Sequence, residues 1–329
     1  MIRKMRSLRA VVWPIVLAIA CDRGHPRDEA PPKPAPVMPG PAIPSCTIAP
    51  LPLRRPAAGR LVAIGDLHGD LGGTRAALRA AGAIDDHDRW VGGELVVVQT
   101  GDVLDRGDDE HAILDLIARL EVEARAAGGA FVFLLGNHEL MNAAGDFRYV
   151  TPAGLHAFDD VPHAGAPARA RVPEQLRGRV AALAPGGSYA RRLAQHAVIA
   201  IVGDTVFAHA GVLGDWVTHV DDVNQTARCW MDGQASEPPR ALTSDDSPVW
   251  TRAAGTPAVD CVQVSAALAA LQVKRMVVGH TVQDHGITSA CDGTLWRIDV
   301  GLAGLYGGPI EVLELVPGAP PKVVRGTRG

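Results

Sequence analysis

Apolar residues come in short runs along the middle of this chain, and between the runs they recur at helical spacing. Leu61-Val62-Ala63-Ile64, Leu95-Val96-Val97-Val98 and Phe131-Val132-Phe133-Leu134-Leu135 are unbroken apolar segments. Runs that short and that uniform predict strands buried on both faces. Thr74 to Ala81 and Asp109 to Ala127 lie between them and read as helices. In the second, Ile113, Leu116, Ile117 and Leu120 form one apolar stripe and Gly128-Gly129 supply the stop. Further on, Val198 to Val202 and Thr205 to Ala208 flank Gly203-Asp204, a two-residue hairpin signal. Val259 to Leu271 reads as a helix, and Met276 to Val278, Leu295 to Val300 and Ile310 to Val316 as strands. Residues 141 to 190 keep no period, which predicts short helices and loops. Strands alternating with helices first, then hairpin strands, predict an α/β fold: a sandwich of mixed β-sheets flanked by helices.

The ends of the chain follow other rules. Arg3, Lys4, Arg6 and Arg9 lead into an apolar stretch that finishes Leu17-Ala18-Ile19-Ala20-Cys21. A basic start, a short apolar run and a small-residue boundary describe an export signal over residues 1–20. Cys21 then stands where a bacterial lipoprotein carries its lipid, so the mature chain is expected in the periplasm or anchored to a membrane through Cys21; plain secretion and an uncleaved anchor are the alternatives. Prolines recur from Pro26 to Pro56, which predicts an extended linker over residues 21–59, ahead of a folded domain at 60–318 and a tail at 319–329. Removing residues 1–20 shifts the formal charge from −4 to about −8, and only 4% of residues are aromatic. Such a body offers nucleic acid neither a basic patch nor a stacking platform. Cys46, Cys229, Cys261 and Cys291 can form two disulfides in three connectivities, or remain buried thiols.

The strands also end in unusual polar residues. Gly65-Asp66-Leu67-His68-Gly69, Gly101-Asp102-Val103-Leu104-Asp105-Arg106-Gly107 and Gly136-Asn137-His138-Glu139 each follow a predicted strand and lie about 35 residues apart, the length of one strand, crossover helix and next strand. His209 and His280 follow two later strands. Parallel strands would gather these donors into a two-metal site, with Asp66, His68 and Asp102 on one ion and Asp102, Asn137, His209 and His280 on the other. Mixed oxygen and imidazole donors suit Mn, Fe or Zn better than Ca or Mg. Two such ions can hold a hydroxide and clamp phosphoryl oxygens for in-line attack. His138, oriented by Asp105, would then protonate the leaving oxygen, while Arg106, Arg252 and Asn137 contact the phosphate. Glu139 reads as a hydrogen-bond partner of the ligand loops, and Asp70 and Asn142 as neighbours of the site or solvated loop residues.

These motifs, in this order from residue 61 to about 316, resemble those of the calcineurin-like metallophosphoesterases. Asp102-Val103-Leu104-Asp105-Arg106-Gly107 is similar to the phosphoprotein phosphatase branch. Gly136 to Pro152, Trp250-Thr251-Arg252, Gly279 to Gln283 and Asp299-Val300-Gly301 with Tyr306-Gly307-Gly308 resemble the bacterial Shewanella-like protein phosphatases. The resemblance implies a two-metal phosphomonoesterase acting on a phosphorylated protein or a small phosphomonoester, with phosphotyrosine as one expected substrate. A phosphodiesterase or dinucleotide-polyphosphate hydrolase on the same scaffold is the alternative, and an inactive binding protein a more distant one.

Overall fold

The computed structural model describes residues 46–162 and 172–328. The signal segment, Cys21 and most of the proline-rich stretch lie outside the described residues. In chain order the strands and helices are β1 (Arg54–Arg55), β2 (Leu61–Ile64), α1 (Leu71–Ala80), β3 (Val96–Gln99), α2 (Glu110–Ala126), β4 (Ala130–Phe133) and α3 (Asn137–Ala143). Then come α4 (Arg177–Leu183), α5 (Ser188–Leu193), β5 (Ile199–Val202), β6 (Thr205–Ala208), α6 (Val220–Met231), α7 (Arg240–Thr243), α8 (Cys261–Ala270) and β7 (Arg275–Val278). The chain finishes with β8 (Thr288–Ala290), β9 (Leu295–Arg297), β10 (Glu311–Leu315) and β11 (Lys322–Arg325).

Two sheets result, ordered β11-β10-β2-β3-β4 and β1-β5-β6-β7-β9-β8. In the first, β2, β3 and β4 are parallel, joined by crossovers through α1 and α2. In the second, β5 and β6 form the hairpin, and β6, β7 and β9 are parallel. The strands alternate which core they serve. Leu61, Ala63, Val98, Val132 and Leu134 meet Ala200, Val202, Phe207 and Val277 between the sheets. Val62, Ile64, Val97, Phe131 and Phe133 lie instead in the core beneath the helices, with Ile113, Leu116, Ile117 and Leu120 of α2. Both faces of these strands are buried, which is why their sequence is apolar without alternation.

The α/β sandwich expected from the pattern is the observed architecture, with differences at the margins. α1 starts three residues earlier than its apolar spacing predicts, because the Asp70 carboxylate accepts the Gly73 N–H at 2.7 Å and caps it. β9 stops at Arg297, and Asp299 turns inward so that its Oδ1 accepts the Gly301 N–H at 3.0 Å. Of the stretch 21–59 expected as a linker, the part from Cys46 onward belongs to the folded body, since β1 pairs in parallel with β5 and Cys46 is bonded to Cys229. The expected tail likewise contains β11, paired antiparallel with β10. The second disulfide joins Cys261 to Cys291. α6 escaped the pattern altogether, although its Val220, Val223, Ala227, Trp230 and Met231 are all buried.

Candidate active site

Parallel pairing places the ends of β2, β3, β4, β6, β7 and β9 on one side of the molecule, and the loops leaving them carry the polar motifs. The loops are locked to one another by backbone hydrogen bonds: the N–H groups of Leu67 and His68 both donate to the Asp102 carbonyl, at 2.9 and 3.0 Å. Glu139, wholly buried at the start of α3, accepts from the N–H groups of Asp102 at 2.9 Å, Val103 at 2.8 Å and Gly136 at 2.7 Å. This is the hydrogen-bonding role its motif suggested. The contacts hold a strained backbone, for His68, Asp102, Asp105, Arg106 and His280 all have φ between 43° and 67°. Left-handed conformations at non-glycine residues cost about 1–3 kcal/mol each and cluster at functional sites. Two glycines allow the tight fit: a Cβ at Gly136 would strike the Asp102 carboxylate, and one at Gly279 that of Asp66.

All of the expected donors meet. His209 Nε2 lies 3.2 Å from Asp102 Oδ2, 2.9 Å from Asn137 Oδ1 and 3.1 Å from His280 Nδ1. His68 Nε2 lies 3.8 Å from Asp102 Oδ2 and 3.9 Å from Asp66 Oδ2. Each of these imidazoles commits its other nitrogen to a backbone carbonyl: His68 to Leu104 at 3.0 Å, His209 to Thr100 at 2.9 Å, and His280 to Trp250 at 3.0 Å. A carbonyl only accepts, so the proton sits on that nitrogen and the inward nitrogen presents a lone pair. With the inward nitrogens unprotonated, Asp102 Oδ2, Asn137 Oδ1, His209 Nε2 and His280 Nδ1 converge as acceptors, an arrangement a cation would satisfy. Ligating atoms of His68, Asp102 and His138 fall within 4.8 Å of one another, as do those of Asp102, His209 and His280, so Asp102 belongs to both groups.

The electrostatics agree. Burial, helped by the carboxylates of Asp299 and Asp102, raises Asp66 well above the usual carboxylate range. Burial pushes Asp102 up as well, but the imidazoles of His209 and His138 hold it well below its ordinary value. Burial lowers His68 to about 4, and burial together with His209 lowers His280 to about 3, which leaves both free to ligate.

His138 differs from the other imidazoles. Its Nδ1 lies 2.5 Å from Asp105 Oδ2, and although burial lowers it, the carboxylates of Asp102 and Asp105 raise it above the ordinary histidine value. Arg106 lies on the same loop, its guanidinium 4.6 Å from the centre of the Tyr149 ring and 5.4 Å from that of Tyr306. Tyr149 also leans on His138 at 5.2 Å, and Tyr306 on His68 at 5.8 Å. Arg252 is exposed at the rim, with Nη1 3.4 Å from the His280 carbonyl.

Several participants gain a role only from the structure. Tyr149 and Tyr306 sit in stretches without periodicity. Asp299 ends what reads as a longer strand, and burial pushes it up to about 6. Asn142 is no solvated loop residue: it is 1% exposed and donates to Asp105 Oδ1 at 2.9 Å. Asp70 serves α1 and accepts from Arg328 at 2.9 Å. Arg179, with no exposed surface, comes from the stretch where no pattern was legible.

Residues 59–284 match the family model described as calcineurin-like phosphoesterase. The chain is 41% identical over 292 residues to Shewanella-like protein phosphatase 2 of Arabidopsis thaliana, spanning 78% of this chain and 75% of that protein. It is 29% identical over 264 residues to Shewanella-like protein phosphatase 1 of Plasmodium berghei, spanning 76% and 70%. Among solved structures, a cold-active protein tyrosine phosphatase superposes with a TM-score of 0.66 at 25% identity, covering 80% of this chain and 76% of that one.

Proposed function

This chain belongs to the calcineurin-like phosphoesterase family and is a metal-dependent phosphatase, and on that footing we propose that it is an exported phosphoprotein phosphatase with phosphotyrosine as its preferred ester. The observation that carries the substrate reading is the aromatic frame of Arg106. Tyr149 and Tyr306, 39% and 37% exposed, lie 4.6 and 5.4 Å from the guanidinium that would bind the phosphate, so a substrate's phenyl ring would enter beside aromatic rings. A serine or threonine ester has no ring to place there. The solved tyrosine phosphatase with the same fold supports this reading.

In this proposal Asp66, His68, Asp102, Asn137, His209 and His280 hold two metal ions, and the mixed imidazole and oxygen donors favour manganese, iron or zinc. When bound, such ions bring water into the neutral pKa range and offset the negative charge of the phosphoryl group. The chain's own groups supply the rest. Arg106, whose Nε is buried without a partner among the described residues, and Arg252 at the rim grip the phosphoryl oxygens. His138 keeps its proton through the pull of Asp102 and Asp105 and, steadied at Nδ1 by Asp105, gives it up from Nε2 to the departing oxygen. The basic and apolar start of the chain supports export, as do the two disulfides, which persist in oxidising compartments. Lipid attachment at Cys21 is part of the same proposal.

Peptides matched in sequence but carrying phosphotyrosine, phosphoserine or phosphothreonine test the substrate assignment through kcat/KM. The tyrosine ester is expected to be the fastest, and the opposite order overturns the preference. Palmitate labelling of cells expressing the parent or a Cys21→Ala chain tests the anchor; label retained by the variant excludes it.

A further inference from the structure

Arg179 reaches the catalytic loops from α4, 74 residues from Asp105 in sequence, and no part of it meets solvent. A guanidinium carries five N–H donors. Here each has an acceptor: Nε donates to Asn142 Oδ1 at 2.8 Å, Nη1 to Glu110 Oε2 at 2.5 Å and the Gly154 carbonyl at 2.9 Å, and Nη2 to Glu110 Oε1 at 2.9 Å and Asp105 Oδ1 at 3.3 Å. Asn142 closes the loop by donating to the same Asp105 Oδ1 at 2.9 Å. One oxygen of Asp105 is thereby fixed by two donors, and its other oxygen faces His138 Nδ1.

We propose that Arg179 is a positioning residue for the proton donor, acting through Asp105 to set the plane of its carboxylate and with it the ring of His138. The inference rests on the reading of His138 as the acid. Its physical basis is charge as well as geometry. Glu110 and Asp105 are both buried, and the Glu110 carboxylate also accepts the Asp105 N–H, so two anions share a small dry volume. Arg179 is the cation that lets them stand side by side. Without it, Asp105 turns away from its neighbour or Glu110 takes up a proton, and either change releases the carboxylate that steadies His138. Burial raises Glu110, and the hydrogen bonds and charge of Arg179 pull against that shift. A lysine carries a single ammonium without the planar fork and reaches Asp105 or Glu110 but not the whole set.

The test compares phenyl phosphate, whose leaving group needs a proton, with p-nitrophenyl phosphate, whose leaving group needs little. Arg179→Met and Arg179→Lys are assayed on both esters, alone and in a His138→Asn background, with thermal melting to confirm folding. Arg179→Met is expected to lower kcat on phenyl phosphate about 10- to 100-fold, a part of the roughly 10²–10⁴-fold that general acid catalysis supplies, with KM little changed and a smaller loss on the nitrophenyl ester. Arg179→Lys should fall between it and the parent, and in the His138→Asn background either change should cost less than about threefold. Equal losses on the two esters, or undiminished losses without His138, overturn the proposal. Should Arg179→Met not fold, Arg179→Lys is judged by the same two criteria. His138→Asn alone separates the levels of the argument. If it shows no dependence on the leaving group, the acid assignment fails; if it does and the Arg179 variants do not, only the role of Arg179 fails.

Discussion

Two clusters of titratable side chains, one buried and one half-buried, sit on different parts of this molecule, and only the first holds a carboxylate down against the effect of burial. At the strand ends, Asp102 is held well below its ordinary value by the imidazoles around it, and every neighbouring histidine has one nitrogen fixed by a named acceptor. On the flank where β4 edges one sheet and β1 edges the other, Glu121 lies 3.3 Å from His196 with arginines nearby. There burial wins. Glu121 is pushed up to about 7 against the pull of Arg125, Arg192 and Arg55, and His196 is pushed down to about 3 by burial and by Arg192, Arg228 and Arg55. A cleft of about 500 Å³ bordered by Arg55, Glu121, Arg125, Phe131 and His196 opens beside them. A cavity and a perturbed pKa are therefore present where no set of ligating atoms converges among the described residues. What marks the strand-end cluster as a site is the convergence of acceptors on shared points, which burial alone does not create.

This contrast can be broken by experiment. The largest effect belongs to Asp102, which faces both donor groups: Asp102→Asn should reduce turnover of p-nitrophenyl phosphate by more than about 100-fold, because even partners one layer behind a metal ligand cost 10–100-fold. Metal content of the purified variant should fall with it, and near-parental activity would remove Asp102 from its shared position. A smaller effect, in stability, is expected on the flank. A carboxyl whose folded pKa is about 7 and whose unfolded value is the ordinary 4.5 binds more protons when folded, so its contribution declines as pH rises between those values. Glu121→Gln removes that decline. Its melting temperature relative to the parent should therefore rise from pH 5 to pH 8 by ~2–4 °C, the shift that about 1 kcal/mol produces in a domain of this order. The opposite trend would mean that Glu121 is ionised in the fold. The smallest expected effect is on turnover, which Glu121→Gln should leave within about twofold of the parent; a large loss would dissolve the distinction between the two clusters.

Legibility differed between regions for physical reasons. The strands β2, β3 and β4 were readable because burial on both faces demands continuous apolar runs, and their loops because metal-ligating residue types recur beside glycine at crossover spacing. The segment around α4 and α5 was not, since its helices are only seven and six residues long and take their order from tertiary contacts. Arg179 shows the consequence: an arginine among other arginines and alanines looks like a solvated residue until the fold surrounds it with acceptors. Cysteine pairing was open for a related reason, because composition limits the partners and only the path of the chain brings Cys46 to Cys229 and Cys261 to Cys291.

The sequence by itself determined the α/β sandwich, the order of its motif loops and the residues Asp66, His68, Asp102, Asp105, Arg106, Asn137, His138, His209, Arg252 and His280 as one site, because apolar period and side-chain chemistry are local properties. Only the tertiary structure decided which nitrogen of each imidazole faces inward, that Tyr149 and Tyr306 frame Arg106, and that Arg179 and Glu110 stand behind Asp105. Those features depend on left-handed turns and buried hydrogen bonds between segments 30 to 109 residues apart, where the partner, and not the residue, defines the role.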